Sequence, residues 1–266
     1  MLKVKRLLWF LSRPRYYPEL FRRLEAQVKL FGNLSSDINQ EEEEKAQAKK
    51  WCEDRAIDTT TAIIKVTGST KPVTFDAKFK EQLKTATKIV EKCPVKMGGS
   101  GNLDLIYQLA EYTEVTRVIE TGVAYGWSSL AFLLSLKNRH NSLLVSNDFP
   151  YLLKDSEKYV GCVVPSELKL FWRLLNYPDR SGLPKALNLL TTIDMCHYDS
   201  DKSYEGKLYA YPQLYKALRK GGIFVSDDVD DNLGLRDFCN SINQAPLIVK
   251  TPTNSGIKYV GILVKS

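Results

Sequence analysis

The chain of 266 residues is 44% hydrophobic and 26% charged, which suits one large α/β domain with an appendage, or two small domains. Its net charge of +7 is concentrated at one end: residues 1–31 hold eight basic residues (Lys3, Lys5, Arg6, Arg13, Arg15, Arg22, Arg23 and Lys29) against Glu19 and Glu25. The remainder is close to neutral, so a nucleic-acid groove across it is not indicated.

Five scattered cysteines, an odd number with none in a CxxC pair, argue against a disulfide scaffold or a zinc module. They suit a reduced, cytoplasmic protein. The apolar run Leu7 to Leu11 is too short for a signal-peptide core or a membrane span, and no later stretch reaches the ~20 apolar residues a span needs.

In chain order, residues 1–31 read as two helical pieces broken at Arg13-Pro14-Arg15. Leu20, Phe21, Leu24, Val28 and Phe31 recur at helical spacing on one face. Such a basic arm either packs on its own domain or on a second copy of the chain, or lies on an anionic membrane surface. Burial is the commoner use of an apolar stripe, and we favour the packed reading. Residues 32–40 have the composition of a linker, and Glu41 opens a polar helix to about Asp54. Thr59 to Pro72 is rich in Thr, Ile and Val and reads as a short strand or an irregular crossing. Phe75 to Lys92 has helical spacing. Residues 1–92 are thus expected to form an N-terminal helical extension, and residues 93–266 a second unit.

That unit opens with the glycine cluster Lys96 to Asn102, a plain loop or a lid, followed by a helix over Leu103–Tyr112. From Val115 onward strands and helices alternate. Strands are expected at Val115–Glu120, Leu143–Ser146, within Pro165–Leu175, at Thr192–His197 and at Ile223–Ser226. Leu247–Thr251 and Lys258–Val264 form a final antiparallel hairpin. The pattern predicts an α/β fold: a Rossmann-like, doubly wound, seven-stranded, mostly parallel sheet with a C-terminal antiparallel hairpin.

The first strand runs into Glu120-Thr-Gly122-Val-Ala-Tyr-Gly126-Trp-Ser128, and then into a helix. Glycine permits positive φ and close approach of a ligand to backbone, and the helix start offers free N–H groups. In open α/β sheets ligands bind at the carboxyl ends of the strands. Those ends carry Glu120, Asp148, Asp179, Asp199 and Asp227, acids that repel each other unless they hold hydroxyls, a cationic ligand or a metal ion. Asp148 lies where an acid accepts hydrogen bonds from ribose hydroxyls. The turn is not GxGxxG, and Glu120 would repel a pyrophosphate. Both features favour a sulfonium nucleoside over a dinucleotide.

The pattern ETGVAYGWSS, then SND, HYDSDKSYEG and LRKGGIFVSDDV resembles the class I S-adenosylmethionine-dependent methyltransferases. It is similar in particular to the metal-dependent catechol, caffeoyl-coenzyme A and macrocin types of O-methyltransferase. The resemblance covers roughly residues 95–266. It implies that Glu120, Gly122, Tyr125, Gly126 and Ser128 hold the methionine part of the cofactor, and that Asp148 holds the ribose. It implies Asp179 beside the adenine, and Met97 and Gly98 in a closing segment. It further implies Asp199, Asp227 and Asp228 as ligands of Mg²⁺ or another divalent cation, a role oxygen ligands suit. Lys202, three residues after Asp199, stands where some members place a general base. Against that role stands an exposed lysine paired with Asp201. His197 reads as a core histidine.

The expected reaction is O-methylation of a small hydroxylated acceptor, sugar- or catechol-like, helped by the metal ion. The alternatives are a hydroxylase-type enzyme on the related fold and a non-catalytic cofactor-binding or membrane-attached scaffold. Residues 1–31 would carry a homo-oligomer contact or a peripheral membrane contact.

Overall fold

The computed structural model describes residues 2–32, 37–69, 73–153, 155–253 and 256–266. Its centre is a sheet whose inner strands are apolar on both faces, as strands sandwiched between helix layers must be. In chain order the strands are β1 (Ala56–Ile57), β2 (Arg117–Thr121), β3 (Leu143–Asp148), β4 (Trp172–Asn176), β5 (Ile193–Tyr198), β6 (Leu218–Ser226), β7 (Leu247–Thr253) and β8 (Gly256–Val264). They lie in the order β1-β7-β8-β6-β5-β2-β3-β4. β8 runs antiparallel to β6 and β7, and every other pairing is parallel. The seven expected strands are all present. The eighth, β1, is a two-residue edge strand from the N-terminal extension, too short to leave a pattern in sequence.

Alternation along the strands sorts the core into two layers. Val118, Leu144, Met195, Ile223 and Val225 face α7 (Leu103–Tyr112) and α8 (Trp127–Leu136). Ile119, Val145, Cys196 and Phe224 face α9 (Asp179–Leu189), α10 (Tyr204–Ala217) and α11 (Gly234–Ser241). The period of two that sends neighbours to opposite faces therefore fills both helix layers.

The extension is helical: α1 (Leu2–Leu11), α2 (Tyr17–Gly32), α3 (Asp37–Glu53), α4 (Thr59–Thr67), α5 (Phe75–Lys78) and α6 (Lys80–Glu91). Part of the expected linker, Asp37–Gln40, is the start of α3, while residues 33–36 lie outside the described residues. The Thr-rich stretch resolves as helix α4. The Asp58 side chain caps it by accepting the Thr61 N–H at 2.9 Å, and Gly68 ends it at φ 71. These end signals outweigh the β-branched composition. Ala62, Ile63, Phe75 and Phe79 share the core layer of α7 and α8, so the extension is packed into the sheet domain.

The basic arm docks on the same domain. Trp9, Phe10 and Tyr16 are buried against Phe149 and Leu152, just past β3. The Trp9 indole donates to the Leu153 carbonyl at 3.0 Å, and the Tyr16 hydroxyl to the Asn176 carbonyl at 2.9 Å. Each buried aromatic contributes about 1.5–3 kcal/mol. The arm is thus docked in cis by these aromatic residues and Leu20, whereas Phe21 and Leu24 of the expected stripe are exposed and the side chains of Val28 and Phe31 lie outside the described residues.

Candidate active site at the carboxyl rim of the sheet

β2 leads to β3 and β4 on one side, while β5 and β6 lie on the other, so the order reverses between β2 and β5. At that switch point a cavity of about 1190 Å³ opens over the strand ends, as the topology requires. Its floor is the turn after β2. Gly122 sits at φ 82, and a Cβ there would run into the Asp199 carbonyl oxygen. The strand ends of β2 and β5 are therefore close enough to demand bare backbone. Gly126, at φ 93, starts α8; a Cβ there would lie 2.8 Å from the Gly161 Cα.

Gly98, Gly122, Ser128 and Trp127 line the cavity, together with Asp148, Asp179, Asp199, Lys202 and Asp227. The other candidates stand behind its wall. Gly126 packs on Gly161. The buried Tyr125 hydroxyl donates to the Val95 carbonyl at 2.8 Å and accepts the Met97 N–H at 3.1 Å. Tyr125 and Met97 thereby anchor the glycine cluster to the turn.

Glu120 is fully buried. One carboxylate oxygen accepts from the Ser129 hydroxyl at 2.5 Å and the Ser146 hydroxyl at 2.6 Å. The other faces Nδ1 of His197 at 3.9 Å. The Nε2 of the same ring lies 3.5 Å from Asp227. Burial disfavours the charged imidazole, but Asp227 and Glu120 outweigh it and raise His197 to about 10. His197 is therefore a buried cation between two strand-end acids, and it also lines the cavity. Its place in the core was legible; the two acids flanking it were not.

Glu120 and Asp148 each keep one buried oxygen without a hydrogen-bond partner, but that of Glu120 faces His197, and Asp148 has no ion pair among the described residues. One oxygen accepts the Val123 N–H at 2.9 Å. The other is buried and has no hydrogen-bond partner among the described residues. Burial pushes this carboxyl up to about 6 despite its backbone donors. Asp179, at the first position of α9, accepts from Asn147 at 3.1 Å and from Ser200 at 2.5 Å. Burial raises it too.

The acids after β5 and β6 meet lysines. Asp228 is buried, and its two oxygens pair with the ammonium groups of Lys202 and, at 2.7 Å, Lys258. Its backbone carbonyl accepts from the buried Lys207 at 2.9 Å. Burial would raise the Asp228 carboxyl, but Lys202 and Lys258 hold it below the usual carboxylate range. Lys202 also lies 3.6 Å from Asp199. Burial lowers Lys202, yet Asp199 and Asp228 raise it overall, so its ammonium is a fixed cation paired with these two acids. Asp199 is pushed up to about 7, first by burial and then by Asp227.

This donor set does not fit a divalent ion. Both Asp228 oxygens are already taken by lysines, and no group of three or more metal-ligating side chains that could hold an ion occurs among the described residues. Lys258 carried no signal in sequence, because it enters from the far side of the C-terminal hairpin. The arm is a further wall that sequence reasoning did not assign: Arg6, Glu19, Arg22 and Arg23 all line the cavity. Glu19 holds Arg22 at 2.8 Å and Arg23 at 2.7 Å. The i,i+3 and i,i+4 spacing of those pairs was readable in advance.

Residues 119–229 match the family described as a methyltransferase domain. No curated protein matches the chain by sequence. Among solved structures, the chain is similar to the O-methyltransferase TomG from Streptomyces achromogenes, involved in tomaymycin synthesis and solved with S-adenosylmethionine (SAM). The identity is 17%, over 72% of this chain and 96% of that one, with a TM-score of 0.53. It is also similar to an O-methyltransferase from Bacillus cereus solved with S-adenosylhomocysteine (SAH). There the identity is 14%, over 80% of this chain and all (100%) of that one, with a TM-score of 0.52. At such identities the likeness is one of fold. Residues 119–229 thus carry a methyltransferase domain, set on a mostly parallel sheet of the fold these solved structures share.

Proposed function

We propose that the chain transfers a methyl group from S-adenosylmethionine to an oxygen of a small hydroxylated acceptor. The observation that carries this reading is the buried, unpartnered oxygen of Asp148 beside the cavity. A buried carboxylate oxygen without a donor is costly, and ribose hydroxyls would supply the missing donors. Gly122 and Ser128 line the cavity where the methionine end would lie, and Asp179 where the adenine would lie. The two structures named above, described as O-methyltransferases, support oxygen as the accepting atom.

S-adenosylmethionine supplies an electrophilic methyl group when bound. The protein's part is alignment and the exclusion of water. Asp199, which lines the cavity and is raised by burial and by Asp227, is the group we assign to take the acceptor's hydroxyl proton. Lys202, held as an ammonium by Asp228 and Asp199, orients that carboxylate and offers a donor to the acceptor oxygen. No step is assigned to a divalent ion, because Lys202 and Lys258 already occupy Asp228.

Calorimetry with SAH tests the cofactor assignment. One site per chain is expected, with affinity unchanged by a chelator. Absence of binding by folded protein would refute the reading.

A further inference from the structure

The arm has a second face. While Trp9, Phe10 and Tyr16 are buried on the domain, Leu7, Leu8 and Leu11 of α1 are 46%, 58% and 52% exposed, and Phe21 and Leu24 of α2 are 60% and 44% exposed. Positions 7, 8 and 11 share one side of α1, and positions 21 and 24 one side of α2. Single exposed apolar residues need no explanation, but a group of them on one projecting element marks an interaction surface.

The apolar exposure continues to the cavity. In the loop after β3, Tyr151 and Leu153 are 40% and 51% exposed and both line the cavity. The Leu153 carbonyl is the acceptor of the Trp9 indole. The exposed leucines of α1 and the cavity's outer edge thus belong to one docked unit.

Charge decides what covers this face. Residues 1–31 carry eight basic residues against two acidic, nearly the whole positive excess of the chain. A second copy of the chain would set one cationic arm against another. An anionic bilayer presents an apolar interior to the leucines and acidic headgroups to the basic residues, each basic residue gaining about 1 kcal/mol near such a surface. Among the described residues no helix is long and apolar enough to cross a membrane, so the contact is peripheral.

We propose that α1 and α2 dock the protein on an anionic membrane surface, with the mouth of the cavity facing the headgroups. This does not depend on the methyltransferase reading, and the test needs no cofactor. The full chain is sedimented with phosphatidylcholine vesicles, with and without phosphatidylglycerol, at low and high salt. Binding is expected to the acidic vesicles only, and to fall as salt screens the arm. The Leu8→Ser, Leu11→Ser double variant should bind about a hundredfold more weakly, since two leucine side chains no longer leave water. Its helical signal and thermal unfolding midpoint should match the wild type. Failure of the wild type to sediment with acidic vesicles at low salt would overturn the proposal. So would a wild-type dimer in light scattering that the double variant turns into a monomer, since a second copy would then cover the face.

Discussion

Replacing Asp148 by asparagine separates a ligand-binding role from a structural one, because the two effects have opposite signs. The side chain keeps an oxygen for the Val123 N–H and loses the charge on the unpartnered one. In the free protein burial raises this carboxyl from 3.8 to about 6. At about 1.4 kcal/mol per pKa unit, ionising it in the fold costs about 3 kcal/mol. Because the folded value lies above the unfolded one, the stability contributed by the neutral acid is complete below pH 3.8 and is lost as pH rises through 6.

Asp148→Asn removes that loss. It should raise the unfolding midpoint of the ligand-free protein at pH 8 and change it little near pH 4, as read in denaturant titrations. Binding should move the other way. A hydrogen bond to a charged acceptor contributes about 1.5–3 kcal/mol, so SAH should bind the variant about 10- to 150-fold more weakly at pH 8. Wild-type affinity should itself weaken below pH 6 as the carboxyl takes up its proton, and the variant should lack that dependence. Unchanged affinity, or a variant less stable at pH 8, would refute the assignment of Asp148 to the ligand.

Gly122→Ala places a methyl group against the Asp199 carbonyl at a positive φ. It should cost about 2–4 kcal/mol of stability by urea denaturation, and a neutral result would mean that β2 and β5 end farther apart than found. Glu120→Gln removes one of the two charges that hold His197 near 10. A His197 resonance titrating at least about one unit lower by NMR is expected. Since His197 is raised above 6.5, the stability it contributes is present below 6.5 and lost as pH rises through 10; the variant should lose it at lower pH. Tyr125→Phe loses the bond to Val95 and the acceptor for Met97. Its global cost should be about 1 kcal/mol, with faster proteolysis within Lys96–Asn102; unaltered cleavage would count against an anchoring role. Mn²⁺ should not bind stoichiometrically to the wild type by electron paramagnetic resonance, and one tightly held ion per chain would show that the lysines yield their acid to a metal.

The fold was legible to the extent that it depends on local pattern. The inner strands are short apolar runs closed by polar residues, and their mostly parallel sense followed from βα alternation and one hairpin; their spatial order is seen only in the structure. α4 was the exception. Thr59 to Val66 favours a strand by composition, and only the pair Asp58 and Gly68, a cap and a left-handed stop, marks it as helix. At the site, the positions of the acids were legible because topology brings every parallel strand end to one rim. Their partners were not. Asp228 meets Lys258 from a strand thirty residues on, and Tyr125 reaches back to Val95, thirty residues earlier. Such contacts depend on side-chain direction, which no spacing within one element encodes.

That difference bears on the question the rim first raised. Five acids at one sheet edge required compensation from hydroxyls, a cationic ligand or a metal ion. Much of it is internal. Glu120 is held by Ser129, Ser146 and the imidazolium of His197. Asp179 is held by Asn147 and Ser200, Asp227 faces His197, and Asp199 faces Lys202. Asp228, adjoining the rim, has Lys202 and Lys258. A metal was expected from the resemblance and from uncompensated charge; the lysines answer the charge, and at Asp228 they fill the oxygens the resemblance would give to an ion. The argument for a nucleoside does not weaken in the same way. Among the described residues Asp148 has no ion-pair partner: its one satisfied oxygen is bonded to backbone and its other has no hydrogen-bond partner. Once the protein has balanced the rest of the rim from within, the remaining demand for a ligand falls on that residue, at the strand end where ribose hydroxyls would meet it.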